Sequence, residues 1–476
     1  MKGKKYLAKN IVLLTISQFG SKLLSFFLVP LYTSVLSTGE YGTYDLFNTT
    51  ILLVVPVLTF NIADATLRFP LDSKEYTSIF SVSLKHVVRG IIIFSALLVI
   101  NYFANFFPIV NEYKWYLLIM FIVSSMGGIV TNFARGIDGI KEVAISGILG
   151  SVILLSLNIF FLLKLHMGIS GYFLANILGS MSIYGYLFLA LGMWKYIAKL
   201  PKNSENMEKQ MLDYTKPLMA NNIAWWVNSS SDRYIVTWLS GVSANGIYSV
   251  GYKIPTILNV FQTIFNQAWT LSAVKDFDSE DSDGFFKNMY NLYNFSMLFI
   301  CSLLIMGTRL IANVLYAKDF YEAWVFVPFL LISVLFGSLS GYIGGIFAAV
   351  KATKIFGQTT VLTAVVNTIL NVVLVYFIGP LGAALATMVA YFLTWLIRIF
   401  FVRKYIKLKL NFIRDSIAYL ILLLQSIFLF FFSNDSAFLW MIEIFLIISL
   451  ILLYKEQCLN IFQEMIKFMK GKLKNV

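Results

Sequence analysis

Apolar stretches of about 20 residues or more, each bounded by a short polar segment, recur along almost the whole chain. That length carries an α-helix across roughly 30 Å of hydrocarbon, so the pattern predicts an all-α integral membrane protein. Fourteen spans are predicted, at 10–36, 43–69, 79–107, 114–138, 143–164, 167–194, 217–240, 246–274, 285–316, 322–350, 356–377, 380–402, 417–433 and 437–454. The first is too long and too polar inside for a cleaved secretory signal and lacks a small-residue cleavage site, which makes it a retained helix.

Polar residues within these spans fall in helical phase. In the first span, Gln18, Ser21, Lys22 and Ser25 follow the i, i+3, i+4, i+7 spacing of one face. In the eighth, Tyr252, Thr256, Asn259, Thr263, Asn266 and Thr270 form a stripe with Lys253 at its edge. In the seventh, Asn221, Asn228 and Asp232 make one stripe, and Asn222, Ser229, Arg233 and Thr237 the next. Span eleven carries Thr360, Thr363, Asn367 and Asn371. Single hydroxyls and amides of this kind glue helices together. Continuous stripes carrying cations point instead to a shared aqueous cavity, because intramembrane charges face protein or water rather than lipid.

Composition agrees: 59% of residues are hydrophobic and 13% charged, with a mean hydropathy of +0.78. The net charge of +13 invites a nucleic-acid reading, which its distribution removes. The basic segments "KGKK", "RFPLDSK", "RGIDGIK", "KYIAKLPKNSENMEKQMLDYTK", "VKATK", "RKYIKLKLNFIR" and "KFMKGKLK" all fall on one side of the predicted topology. By the positive-inside rule that side is cytoplasmic, and both termini lie there. The acidic loop "KDFDSEDSDGFFK" lacks the sixth-position glycine and twelfth-position glutamate of a calcium loop and reads as a solvated charge run. Two cysteines, Cys301 and Cys458, give neither a disulfide framework nor a metal pattern. No phosphate-binding loop is present, which argues against direct ATP drive.

The chain also repeats itself. "LSTGEYGTY" after span one matches "LSGVSANGIY" after span seven, "SMGGIVTNFARGIDGIK" matches "GYIGGIFAAVKATKI" with Gly127-Gly128 and Gly344-Gly345 in step, and "GISGYFLANILG" matches "GPLGAALATMVA". Each repeat is thus six helices. An even number returns the chain to its starting side, so two parallel six-helix bundles around a central cavity are expected. The predicted divisions are 1–194 for the first bundle, 195–216 for a cytoplasmic linker, 217–402 for the second bundle, and 403–476 for two appended helices and a basic tail.

Neighbours on a helix point about 100° apart, so Asp232 and Arg233 are expected to find separate company. Arg233, whose planar fork suits a diphosphate, is predicted to face a ligand together with Lys253, Lys22 and, less centrally, Arg309. Asp232 is expected to neutralise Lys253 or Lys22, or to serve H⁺ or Na⁺ coupling; Asp64 is a second carboxyl of that kind. The predicted polar lining is Gln18, Ser21, Ser25, Asn221, Asn228, Ser229, Asn259 and Asn266. Arg68, Arg135 and Arg398 sit near cytoplasmic ends and are expected to snorkel. Glu443 is a carboxyl without an evident partner, and His86 and His166 read as interfacial. Pro30, Pro56, Pro255 and Pro328 fall within spans and permit kinks.

The segments "NIVLLTISQFGSKLLSFFLVPLYTSVLSTGEYGTYDLFNTT", "SSSDRYIVTWLSGVSANGIYSVGYKIP" and "GPLGAALAT" resemble Wzx-type bacterial polysaccharide repeat-unit flippases of the multidrug, oligosaccharidyl-lipid and polysaccharide exporter superfamily. The resemblance spans roughly residues 5–405 and carries the family's Asp-Arg pair onto Asp232 and Arg233. It implies a bacterial cytoplasmic membrane protein that is not an enzyme and needs no metal or cofactor. Its substrate would be an undecaprenyl-diphosphate-linked oligosaccharide, such as a capsule or O-antigen unit, moved to the outer leaflet by alternating access. A polysaccharide polymerase and chain-length machinery are the implied partners. Fourteen spans rather than twelve also fit exporters of teichoic-acid or peptidoglycan precursors. A drug or cation antiporter of the same fold is the third reading, disfavoured by the cationic stripes.

Overall fold

The computed structural model describes residues 26–197, 204–432 and 437–459. Every regular element among them is helical. We number the main helices α1 Val29–Val35, α2 Thr38–Leu58, α3 Ile62–Arg68, α4 Tyr76–Ala104, α5 Lys114–Gly136, α6 Ile140–Asn158, α7 Gly168–Ala190, α8 Glu205–Ser240, α9 Val242–Gly251, α10 Pro255–Lys275, α11 Phe285–Met306, α12 Thr308–Leu315, α13 Val327–Ala349, α14 Thr353–Ile378, α15 Pro380–Val402, α16 Phe412–Phe431 and α17 Ala437–Leu453.

Among the described residues nine helices are long and apolar enough to cross a membrane, and a tenth span is the pair α2 and α3, bent by 68°. The protein is therefore a multi-pass membrane protein. The remaining predicted spans differ in form. Most of span one lies outside the described residues. Span seven is the inner part of the 36-residue α8, span eight is divided into α9 and α10, and span fourteen is the 17-residue α17.

The prolines explain part of this. Pro255 opens α10, and Pro30 and Pro328 sit in the first turns of α1 and α13. There the missing N–H has no intrahelical partner to lose, so these prolines start helices rather than kink them. Of these four only Pro56 is inside a helix, and the chain breaks shortly after it at Phe60 and Asn61, both at positive φ. Beyond the break, Asn132 of α5 fastens the start of α3 by donating to Ala63 O at 2.9 Å.

Contacts divide the described chain into two compact units. Unit 1 runs to Gly246 and includes Leu315–Lys318; unit 2 comprises Ile247–Val314 and the residues from Asp319 onward. By packing, α8 belongs with unit 1, so the contact boundary falls some 30 residues beyond the predicted linker at 195–216. The core of unit 1 is aromatic and aliphatic, centred on Phe80, Ile129 and Phe133 in one cluster and Phe47, Phe121 and Phe173 in another.

On the polar side of unit 1, Glu208 of α8 accepts from Lys85 Nζ at 2.6 Å and contacts His86 Nε2 at 3.0 Å. His86 is fully buried rather than interfacial. The Lys85 hydrogen bond holds the Glu208 carboxyl below its ordinary value. A carboxylate with a depressed folded-state pKa contributes stability above its unfolded pKa and loses it as pH falls through the folded one. Acidification below roughly pH 4.3 is thus expected to loosen the α4–α8 contact, and Glu208→Gln to remove that component from the pH profile of thermal unfolding in detergent.

In unit 2 the acidic loop is built from turns and a helix cap. Asp278 accepts from the N–H groups of Glu280 and Ser282 at 3.0 and 2.7 Å, and these bonds with the Ser282 hydroxyl hold its carboxyl low. Asp281 caps α11 by accepting from Phe286 N and Lys287 N at 2.9 and 3.0 Å. The appended helices are fastened by polar links: Ser302 donates to Gln425, which donates to Glu443 at 2.7 Å, and Tyr454 donates to Asp415 at 2.6 Å. Gln425 is the partner of Glu443 that the sequence did not show.

Candidate functional site

Arg233 is carried by α8 with its side chain turned onto α2. Its Nε lies 3.1 Å from Asp45 Oδ2, with the two side chains 16% and 13% exposed. Two further links tie the same helices together: Trp226 Nε1 donates to Thr49 O at 2.9 Å, and the Tyr234 hydroxyl pairs with Thr50. Together these bonds align a row of α8 residues, 226, 233 and 234, along α2. Arg233 Nη1 reaches Ser230 Oγ at 3.4 Å.

Arg233, expected to face a ligand, thus also has a carboxylate beside it. Asp45, in "TYDLFNTT", falls near the start of predicted span two, where a carboxylate is ordinary and nothing in the helical phase marks it. Asp232 is buried, and its Oδ1 accepts from the Arg233 backbone N–H at 3.0 Å.

The other predicted residues are distributed as follows. Gln18, Ser21, Lys22 and Ser25 lie outside the described residues. On α8, Asn228 is buried, whereas Asn221 and Ser229 are exposed, Ser229 donating to Trp225 O at 2.9 Å. Lys253, Asn259 and Asn266 belong to unit 2 and are half-buried, Lys253 standing at the break between α9 and α10. The stripe threonines of α10 are satisfied by their own helix, with Thr256 donating to Tyr252 O at 2.9 Å and Thr263 to Asn259 O at 2.8 Å. Such back-bonding removes their need for water. Asp64 sits in the first turn of α3, held by Asn61 Nδ2 at 2.6 Å.

Arg309 is a correction. It is 5% exposed, donates through Nη2 to the carbonyls of Leu429 and Phe432, and lies 4.4 Å over the Trp324 ring. Carbonyls at a helix C-terminus lack intrahelical donors and attract cations, so Arg309 fastens the end of α16 instead of facing a diphosphate. Arg309→Leu is expected to strand those carbonyls and lower stability by about 2–3 kcal/mol, read as a reduced melting temperature in detergent. Transport per folded molecule should be unchanged.

Arg398 likewise does not snorkel. It is 5% exposed, donating to Thr359 and Thr360 hydroxyls at 3.0 and 2.9 Å and to Ser340 O at 3.0 Å. The polar stripe of span eleven is thereby packed against α15. Arg68, by contrast, is exposed and pairs with Asp72.

The described chain is thus a multi-helix membrane fold in which Arg233 and Asp45 form an ion pair between two helices. Its backbone resembles the inward closed conformation of the lipid II flippase MurJ, with a TM-score of 0.70 at 17% identity over 96% of this chain and 100% of that one. It also resembles an inward-facing multidrug resistance MATE transporter of the MOP superfamily, with a TM-score of 0.59 at 12% identity over 84% and 95%. At these identities the likeness is one of fold.

The sequence profile described as polysaccharide biosynthesis protein matches residues 7–270, more than half of the chain, and the protein belongs to that family. A curated relative, the probable low-salt glycan biosynthesis flippase Agl15 of Haloferax volcanii, is 23% identical over 233 residues, 47% of this chain and 48% of that protein. The chain thus spans about half the length of the curated relative it matches. The relatives named are flippases and transporters rather than enzymes.

Proposed function

We propose that this protein moves a lipid-linked glycan across the membrane, and that its substrate is an undecaprenyl-diphosphate-linked oligosaccharide of the capsule or O-antigen kind. The family match over residues 7–270, with Arg233 and Asp45 inside it, is the observation that carries this reading. An oligosaccharide diphosphate cannot cross hydrocarbon unaided when each unpaired polar group costs several kcal/mol. Arg233 offers a guanidinium fork that a diphosphate can engage bidentately. Asp45 offers the guanidinium an ion-pair partner at Nε in the substrate's absence, and an arriving diphosphate competes with it for that charge.

Transport then follows alternating access, the two predicted six-helix halves being the moving bodies. The protein acts in the bacterial cytoplasmic membrane with both termini inside, delivering its cargo to a polymerase. Two phosphate charges leaving a cell that is negative inside gain roughly 4–5 kcal/mol per 100 mV. H⁺ or Na⁺ exchange through Asp232 or Asp64 would supplement that gradient.

The likeness to MurJ extends over 96% of the chain against 84% for the MATE transporter, which supports a second cargo, a lipid-linked peptidoglycan precursor. Reconstitution into proteoliposomes decides between them. Undecaprenyl-diphosphate-linked oligosaccharide and lipid II are each offered on one side and their arrival on the other is measured with an impermeant probe. Transport of neither overturns the flippase reading.

A further inference from the structure

One helical turn beyond Asp45, unit 1 contains a cavity of about 280 Å³. Among the described residues it is lined by Tyr44 and Asn48 of α2, Ser124 of α5, and Asn176, Ser180 and Tyr184 of α7, with Ile51, Leu52, Met120, Val123 and Ile177 supplying apolar patches. We infer that this cavity is a sugar-recognition subsite: it holds one ring of a neutral glycan whose diphosphate is at Arg233. The inference rests on the flippase reading and names what selects the cargo.

The hydrogen-bonding state of the lining is the first argument. Serines in membrane helices ordinarily donate to a carbonyl of their own preceding turn, and the neighbouring Ser125 and Ser182 do so, to Phe121 O at 2.7 Å and Gly179 O at 2.6 Å. Ser124 and Ser180 do not. Neither their hydroxyls nor the Asn48 amide hydrogen-bonds to any described residue. Asn176 uses only its amino group, donating to Tyr172 O at 2.8 Å, so that its carbonyl oxygen is available. Leaving such groups without partners at membrane depth is costly, and a polyol supplies both donors and acceptors for them.

Chemistry and size favour a sugar over the other small polar ligands. No carboxylate or cation lines the cavity among the described residues, so a metal ion or a second phosphate meets no countercharge there. Two tyrosines, amides and hydroxyls among the lining residues offer a sugar both aromatic carbon and hydrogen-bonding groups, the mixture of apolar walls and few polar groups typical of ligand pockets. The volume lies just under the roughly 300–1,000 Å³ of drug-sized sites, suited to a single ring. Asn48 and Asp45 are three residues apart on α2 and so share a face, placing the subsite next to the ion pair.

The test uses the purified full chain in detergent and two probes: the undecaprenyl-diphosphate-linked oligosaccharide extracted from cells that express the protein natively, and undecaprenyl diphosphate bearing no sugar. Wild type is expected to bind the first at least ten-fold more tightly. Asn48→Ala combined with Ser180→Ala should lose about ten-fold for the glycan-bearing lipid and nothing for the bare one; unchanged affinity for the bare lipid shows that the variant is folded. Ser180→Leu, which fills the cavity, should act the same way. Equal binding of both lipids by wild type, equal losses for both in the variants, or an effect confined to Na⁺ dependence overturns the subsite while leaving the flippase reading intact. Binding of neither lipid by wild type overturns both.

Discussion

Arg233→Ala is expected to cut transport of undecaprenyl-diphosphate-linked oligosaccharide in proteoliposomes to about a tenth of wild type or less, the consequence of losing charge-assisted hydrogen bonds worth roughly 1.5–3 kcal/mol. It also leaves Asp45 with one ion-pair partner fewer. Removing one member of a fully buried pair costs roughly 3–5 kcal/mol; with the side chains 16% and 13% exposed, water screens part of this and about 2–3 kcal/mol is expected. Stability and substrate binding are therefore confounded in the single variant. The exchange Asp45→Arg with Arg233→Asp separates them, since it rebuilds the ion pair but moves the cation onto α2. Thermal stability should recover while transport stays low. Recovery of both would make the pair a structural clasp and withdraw Arg233 from the diphosphate.

Gly42→Ala is expected to destabilise far more than Gly39→Ala, a single-methyl addition one turn away on the same helix. The Cβ added at Gly42 would lie 2.1 Å from Val242 O and 3.0 Å from Gly246 N, backbone atoms that cannot rotate away. Gly246 is the reciprocal case, its Cβ 1.9 Å from Thr38 O, and Asn245 Nδ2 bridges the same surfaces by donating to Gly42 O at 3.3 Å. Overpacking typically costs about 1–3 kcal/mol, and a clash this close should reach the upper end, a fall of several degrees in melting temperature. Gly39→Ala is the control, because its Cβ would meet only the Ser243 hydroxyl at 3.2 Å. Equal stability of the two variants would show that α2 and α9 do not approach this closely.

Gly42 and Gly246 also show how far the sequence can be read. They occupy matching places in "LSTGEYGTY" and "LSGVSANGIY", so the repeat was visible as a string; that the two copies meet each other glycine to glycine was not. Gly128 and Gly345 behave similarly, the first near Ala63 after the break in span two and the second against Trp269 in span eight. Among the charged residues, an intramembrane position marks Arg233 in the sequence, whereas its neighbour Asp45 comes only from packing. Sequence position points Arg309 to a ligand and Arg398 to the interface, yet in the structure both donate to carbonyls or hydroxyls inside unit 2.

The sequence by itself determined that the chain is helical and membrane-embedded, and which of its spans hold polar stripes. Those properties follow from span length and 3.6-residue phase, which each helix possesses alone. Only the tertiary structure decided that Asp45 meets Arg233, that the threonines of α10 are satisfied by their own backbone, and that Asn48, Ser124 and Ser180 surround a common cavity. Helical phase specifies a direction around one axis. The neighbour found in that direction depends on how three or four helices pack, and residues as distant in the chain as 45 and 233 acquire their chemistry from that packing.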